Sequence, residues 1–411
     1  MTEFSYIAYD KLGRKITGTE EANSYEEVIS RLQTKELIVA NVFIKRKEKP
    51  SYGKGSIEGA KQFKHYRVST SDLTLFCRQF ATLLDAGVSL LKSIEIISGQ
   101  AASKRLYQIL QEIKKDMEQG KSLHEAMEKH PRVFSELWVS LIESGETSGN
   151  LALVLERLSK YLERRQEFKR KIISALIYPA ILITAGIAAL LFLTLKIIPT
   201  FAQLFESFGI KLPLVTRILI NISKFLRSYI IFILLGIGIL FFLFREYIKT
   251  KSGRKKYERI KFSLPIFGDF FKAIVVERFS SEISTLIESG VPIIYSLEIA
   301  QRSVDNLVAG EIIEKIKENV RQGKPLSEPL EKSDFFEPMV VQMVRVGEEI
   351  GELAPMFKRI NSFYQELVET FLARFISLFE PIMILFMAGV IGAMVIGMFL
   401  PIFQIAQLGG K

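Results

Sequence analysis

The sequence predicts a mainly α, polytopic membrane protein with three transmembrane helices, two repeated cytosolic helical bundles and a small α+β N-terminal module. Three observations carry that prediction. The 411 residues are 24% charged with a formal net charge of +10, yet their mean hydropathy is +0.22, so the apolar residues are concentrated in stretches. Two of those stretches are long enough to cross a bilayer, and a third, with a 16-residue apolar core from Tyr229 to Phe244, spans if Phe225 to Ser228 enter the interface. Most of what remains is one segment written twice. An ordinary soluble enzyme is set aside on these grounds. The 31 phenylalanines and long Ile/Leu runs set aside a disordered chain.

A bilayer core of about 30 Å needs about 20 apolar helical residues. The first span reads Ile172 to Leu195, the second about Phe225 to Phe244, and the third about Phe375 to Phe403 with one acid, Glu380, near its start. Lysine and arginine near span ends set orientation. Arg157 to Lys171 holds seven basic residues and Arg245 to Lys261 holds eight, against five in the 33 positions from Lys196 to Ser228. The N-terminus and the segment 245–374 are therefore expected in the cytosol and the C-terminus outside. The positive charge is membrane-flanking charge, and no basic stripe interleaved with aromatics points to nucleic acid.

The repeat explains this topology. Asp85-Ala86-Gly87-Val88 recurs as Glu288-Ser289-Gly290-Val291 and Gln119-Gly120-Lys121 as Gln322-Gly323-Lys324, both offset by 203. Gly145-Glu146, Gly149 and Leu151 recur as Gly347-Glu348, Gly351 and Leu353, and Pro179 and Pro199 as Pro381 and Pro401, offset by 202. One residue is therefore lost between 123 and 145, and the units are about 72–201 and 275–403. Each unit is a cytosolic segment followed by an outgoing span, so one return crossing is required. The second span supplies it.

Within the units, Leu106, Ile109, Leu110, Ile113 and Met117 mark one helical face, as do Ala309, Ile312, Ile313, Ile316 and Val320. Ser122 with Glu125 reads as a capping box. Pro292 and Pro325 replace Ser89 and Ser122, and proline in the first helical turn keeps a helix start. In the N-terminal module, Phe4 to Ala8 and Ile16 to Glu20 flank an Asp10–Gly13 turn, a hairpin signal. Ser24 and Glu27 then open a helix with Val28, Ile29 and Leu32 on one face, and Leu37 to Ile44 reads as a strand. The Met1–Tyr6 opening lacks a basic n-region and an apolar h-region, so no cleavable signal peptide is expected.

The expected organisation is a module over 1–45, a linker over 46–68, bundle 1 over 69–170, span 1 over 171–196 and an outer loop with an amphipathic helix over 197–224. Span 2 follows over 225–244, a basic cytosolic connector over 245–271, bundle 2 over 272–374, span 3 over 375–403 and an outer tail over 404–411. Val215, Ile218, Leu219, Ile222 and Phe225 give the outer loop its amphipathic face.

Chemistry is sparse. One cysteine, Cys77, excludes an intramolecular disulfide, and its apolar helical setting suits a small core residue better than a nucleophile. His65, His124 and His130 form no zinc spacing with it, so no metal or cofactor is expected. Gly120-Lys121-Ser122 resembles the end of a phosphate-binding loop, but position 115 is Lys where that loop needs Gly. Glu380 is costly inside a span, and its repeat partner is Tyr178. Gly389, Ala393 and Gly397 place small residues every fourth position for close packing within or between protomers. The Gly-Glu-x-x-Gly-x-Leu turns read as helix-connecting loops. The candidate motif residues are Gly87, Gly120, Gly145, Glu146, Gly149, Tyr178, Pro179, Pro199, Gly290, Gly323, Gly347, Glu348, Gly351, Glu380, Pro381 and Pro401.

At these residues the chain resembles the inner-membrane platform proteins of type II secretion and type IV pilus machines, the GspF/PilC family. The likeness covers nearly the whole chain. It rests on Lys171, Ile172, Ala175, Tyr178-Pro179, Leu182, Gly186, Leu193 and Ile197-Ile198-Pro199 in the first span, and on the doubled Gly-Glu-x-x-Gly-x-Leu turn. Glu380-Pro381, Leu212-Pro213 with Thr216-Arg217, and Phe4-x-Tyr6-x-Ala8-x-Asp10-x-x-Gly13 extend it. The resemblance implies a non-enzymatic scaffold of the cytoplasmic membrane. It implies contact with a hexameric cytosolic assembly ATPase, with a retraction ATPase where one exists, and with pilins or pseudopilins. Other inner-membrane assembly proteins, lipid and further copies of the chain are also expected partners. The rival from another class is a transporter or channel subunit using Glu380, which predicts several buried polar residues on the spans.

Overall fold

A computed structural model describes residues 2–9, 15–22, 27, 28, 32, 34, 38–44, 63–207 and 212–408. Two compact units divide after Gln62. In the first, β1 (Thr2–Tyr9), β2 (Lys15–Ala22) and β3 (Ile38–Ile44) form an antiparallel sheet in the order β2-β1-β3. The β1–β2 register runs from Thr2↔Ala22 to Tyr9↔Lys15, the hairpin that the sequence predicts. Glu27, Val28, Leu32 and Thr34 are helical, with Val28 and Leu32 buried. The β1–β3 register shifts between Ile7 and Ala8, which no sequence signal marks. The Asp10–Gly13 turn, Ser24, Ile29, Leu37, residues 46–62 of the linker and Lys411 lie outside the described residues.

The second unit holds both repeats. Bundle 1 is α1 (Thr70–Asp85), α2 (Leu90–Gln100), α3 (Lys104–Glu118), α4 (Leu123–Glu128), α5 (Glu136–Ser148) and the start of α6 (Leu151–Phe192). After α6 come a π-helical turn over Leu193–Ile197, α7 (Ile198–Ser207), α8 (Leu214–Lys249) and α9 (Lys251–Ser263). Bundle 2 repeats bundle 1 helix for helix, as α10 (Phe267–Glu288), α11 (Ile293–Ser303), α12 (Leu307–Arg321), α13 (Ser327–Glu331), α14 (Pro338–Glu349) and α15 (Leu353–Leu408). Buried Leu123 and Phe134 correspond to buried Leu326 and Phe336, so the lost residue falls in the α13–α14 loop, where deletion removes no core side chain.

Each bundle closes over its own core. Leu106, Ile109, Leu110 and Ile113 are buried in the first, and Ala309, Ile313 and Ile316 in the second. Phe76, Phe134 and Trp138 form an aromatic cluster in bundle 1, with ring centroids 5.3 to 6.3 Å apart. Helix starts follow the sequence signals with two adjustments. Ser122 and Glu125 form the capping box, but neither repeat-two proline sits in a first helical turn: Pro292 occupies the N-cap itself, with ψ 145°, and Pro325 precedes the N-cap Leu326.

Among the described residues, three helices are long and apolar enough to cross a membrane, and each extends beyond its apolar stretch. The α6 helix runs from the bundle 1 core into the first apolar stretch as far as Phe192, where the π-helical turn takes over, and α15 runs from bundle 2 through the third apolar stretch. At 1.5 Å per residue the 56-residue α15 is about 84 Å long. The segment expected as a separate outer amphipathic helix is the first part of α8. There Val215, Ile218, Ile222 and Phe225 are exposed, while Thr216, Ile220 and Ser223 face inward because they meet the end of α15, α7 and the π-helical turn. The expected connector over 245–271 is helical too, shared among the end of α8, α9 and the start of α10.

Glu277, on α10, is buried against α15, where Asn361 and Gln365 donate to its carboxylate at 3.0 and 2.9 Å. Burial nevertheless pushes its carboxyl above the usual range. A carboxyl raised on folding binds its proton more tightly in the native state, so stability is lost as pH rises from the ordinary carboxylate value through the raised one. Glu277→Gln keeps both acceptor bonds without the charge. Thermal unfolding of the full chain in detergent at pH 7.5 is expected at the wild-type temperature or a few degrees higher, roughly the effect of 1 kcal/mol, with a flatter pH profile. A lower melting temperature for the variant at pH 7.5 would contradict this assignment.

Candidate functional site

The doubled Gly-Glu-x-x-Gly-x-Leu motif joins α5 to α6 and α14 to α15. Gly149 and Gly351 take left-handed backbone, φ 70° and 74°, and let the next helix begin at Leu151 and Leu353. Gly145 and Gly347 lie on the preceding helices where these cross the following ones. A Cβ on Gly145 would stand 3.1 Å from Leu151 Cα, and one on Gly347 2.9 Å from Met356 Cγ. Gly87, Gly120, Gly290 and Gly323 also have positive φ and close the turns after α1, α3, α10 and α12.

The motif glutamates reach across the bundle rather than into a turn. Glu146 accepts from the Leu123 N–H at 2.7 Å and the His124 N–H at 3.1 Å, with His124 Nδ1 at 2.6 Å. Glu348 accepts from the Leu326 N–H and, at 2.9 Å, from the Ser327 N–H. Each carboxylate thus satisfies orphan amides at the start of a one-turn helix, 21 to 23 residues earlier in the chain. Such amides are where a phosphate would bind. The protein's own carboxylate holds that place, Lys121 pairs with Asp116 at 3.2 Å, and Ser122 is engaged with Glu125, so Gly120-Lys121-Ser122 is a helix start.

Between the bundles, α5 and α6 lie against α10 and α11. Ser144 donates to the Ser289 carbonyl at 2.7 Å, Arg157 to the Glu288 carbonyl, and Arg302 pairs with Glu136 at 2.6 Å. Leu286, Val291 and Ile299 of bundle 2 are buried in the core of bundle 1. Tyr161 donates to Glu282 at 3.2 Å, and the same carboxylate meets Arg278 at 3.2 Å and accepts from Ser303. Glu282 is only 1% exposed, so this network holds a buried charge by several partners. Burial pushes the Tyr161 hydroxyl far above its usual range, which keeps it a donor.

Among the apolar helices, Tyr178 donates to Glu380 at 2.9 Å, joining equivalent positions of the two repeats. Beyond them, a Cβ on Gly186 would stand 3.1 Å from Met387 Sδ. Thr216 donates to the Gly397 carbonyl and Ser223 to the Thr194 carbonyl, tying α8 to α15 and to the π-helical turn. Of the small-residue stripe, Gly397 alone is closely packed, with Leu219 Cδ1 2.5 Å from its ideal Cβ; Gly389 and Ala393 face open space. Pro179, Pro381 and Pro401 lie inside helices, and Pro199 follows the π-helical turn.

Cys77 is buried, and burial pushes its thiol well above the usual range, opposite to what an activated thiolate needs. No group of three His, Cys, Asp or Glu side chains suited to a metal occurs among the described residues. Sequence reasoning missed the reach of Glu146 and Glu348, the Tyr161–Glu282 network, and Gly253 and Gly268, whose added Cβ would strike the Tyr247 and Phe262 carbonyls. The two glycines sit in Lys-Ser-Gly-Arg and Ile-Phe-Gly-Asp runs, a turn signal within a stretch otherwise read only for its charge.

Fold and contacts define a class: a polytopic membrane scaffold in which a helical bundle and an apolar span are duplicated and share a continuous helix. The chain belongs to the type II secretion system protein F family. That family's model matches residues 76–199 and 279–401, one match per repeat, and its N-terminal domain model matches residues 1–42. The chain is 37% identical over 406 residues to a type IV pilus assembly protein PilC of Thermus thermophilus, covering 98% of each. It is 33% identical to PilC of Myxococcus xanthus, covering 98% of this chain and 95% of that one. To a type II secretion system protein F of Pseudomonas aeruginosa it is 31% identical over the full length of both.

The carboxylate caps give a direct test. Glu146→Ala and Glu348→Ala are each expected to destabilise the full chain in detergent by about 1 to 3 kcal/mol, since each strands two amide donors. The effects should add in the double variant, because the caps lie in separate bundles. Unfolding curves that coincide with wild type for either variant would remove the capping role.

Proposed function

We propose that the chain is the membrane platform of a type IV pilus or type II secretion assembly machine, a scaffold and mechanical coupler rather than a catalyst. Its N-terminus and both bundles face the cytosol and its C-terminus lies outside the cytoplasmic membrane. The bundles receive a push or torque from a cytosolic hexameric ATPase. The spans pass it to pilin or pseudopilin subunits being drawn from the membrane into a fibre.

One observation carries this reading: α6 and α15 each belong at once to a bundle core and to a membrane-length apolar helix. A helix shared in this way has no joint between bundle and span, since Pro179 and Pro381 lie farther along, within the apolar stretches. The relatives' names supply the setting of pilus assembly and secretion. The basic residues at the inner ends of α6 and α8 support the orientation. Where α8 meets α9 and α10, Arg245, Lys249, Arg254, Lys261 and Arg278 line an open cavity of about 1020 Å³ with Phe241, Phe244 and Tyr257, the mixture of charge and aromatic rings suited to a lipid headgroup level. The motif carboxylates are engaged as helix caps, and Glu380 is held by Tyr178, which favours a scaffold over a proton path.

Inserting Gly-Gly-Ser between Gln166 and Glu167 tests the coupling by breaking α6 between bundle and span. Normal membrane levels, retained co-purification of the ATPase and at least a tenfold loss of surface fibre or secreted substrate are expected. Wild-type assembly by that variant would reject mechanical coupling through α6.

A further inference from the structure

The two bundles meet head to tail. The α5–α6 face of bundle 1 covers the α10–α11 turn of bundle 2, and the reciprocal faces stay open. On bundle 2, Val346, Ile350 and Phe363, equivalents of Ser144, Ser148 and Tyr161, are 46%, 59% and 40% exposed. On bundle 1, Asp85, Ala86 and Gly87, equivalents of Glu288, Ser289 and Gly290, are exposed. Each open face is the structural equivalent of one already in use inside the chain.

We propose that these open faces join successive copies of this chain, with the α14–α15 face of one copy seated on the α1–α2 turn of the next. The chemistry matches the internal contact. Arg359 stands where Arg157 does, placed to donate to the Asp85 carbonyl as Arg157 donates to that of Glu288. Leu83, Val88 and Ile96 are only partly buried, whereas their equivalents Leu286, Val291 and Ile299 are buried against bundle 1. The open bundle 2 face is more apolar than its bundle 1 counterpart, with Val, Ile and Phe in place of Ser, Ser and Tyr, and water-exposed patches of that kind mark interfaces.

The operator also suits a membrane. Tyr178 and Glu380 are equivalent positions yet lie within 2.9 Å, and Gly186 meets Met387, one position from its own equivalent. The repeats therefore stand side by side at one level along the helix axes. A head-to-tail contact repeated by that relation keeps every copy in the same bilayer and the same orientation, and grows as a ring or arc in the membrane plane.

Two differently tagged full-length copies, one Val346→Cys and the other Ala86→Cys, are co-expressed and mildly oxidised in native membranes. Ser144→Cys with Ser289→Cys in one chain serves as the internal equivalent, since Ser144 Oγ is 2.7 Å from the Ser289 carbonyl oxygen and 3.7 Å from an ideal Cβ at Gly290. A covalent dimer bearing both tags is expected, at least tenfold above either single variant alone. Adding the exposed-site change Ile350→Asp to the Val346→Cys copy should abolish it. Closure of the internal control without a mixed dimer would overturn the proposal. So would self-linking of Val346→Cys alone, the mark of a two-fold contact, or a mixed dimer insensitive to Ile350→Asp.

Discussion

The backbone hydrogen-bond ladder of α6 and α15 is the constraint on which the rest of the structure depends. Inside hydrocarbon a backbone must satisfy its own polar groups, so the apolar stretches have to be helical. By extending those helices into the bundles, the chain makes each bundle core fix the rotation and depth of a membrane helix. The α5–α6 and α14–α15 junctions then become critical, because a shift there would be carried the length of the span. Gly145, Gly149 and their equivalents make these junctions tight, through close approach and left-handed backbone at successive positions.

The motif glutamates belong to the same logic. A one-turn helix such as α4 or α13 cannot stabilise itself, since nucleation costs more than one turn returns. Glu146 and Glu348 tie these short helices to α5 and α14 with two charge-assisted bonds each. In this way the junction with the long helix and the far corner of the bundle are held by adjacent residues, Gly and Glu. Both residues recur because the whole unit of bundle and long helix recurs.

Local pattern made much of this legible in the sequence. The spacing of Leu106, Ile109, Leu110 and Ile113 names a buried face because a helix turn is a local object, and Ser122 with Glu125 names a cap for the same reason. Glu146 could not be read this way. Its partners are 22 and 23 residues away, and only the packed bundle brings them together. The stripe Gly389, Ala393 and Gly397 has the right period for packing, but period alone does not say which member meets a neighbour, and α8 reaches only the last. The first part of α8 reads as a surface helix because its apolar face is genuine, while the small polar side chains of Thr216 and Ser223, which bond to carbonyls of neighbouring helices, define the inward side.

Helical continuity from bundle into span is the central claim, and amide hydrogen exchange on the full chain in lipid nanodiscs tests it most directly. Residues 160–172 and 362–374 cover the passage from bundle core to apolar stretch. Protection through both segments as strong as that of the flanking bundle and span, with no fast-exchanging gap, is the predicted result. A window of rapid exchange between bundle and span in either repeat would show a joint there and contradict the account.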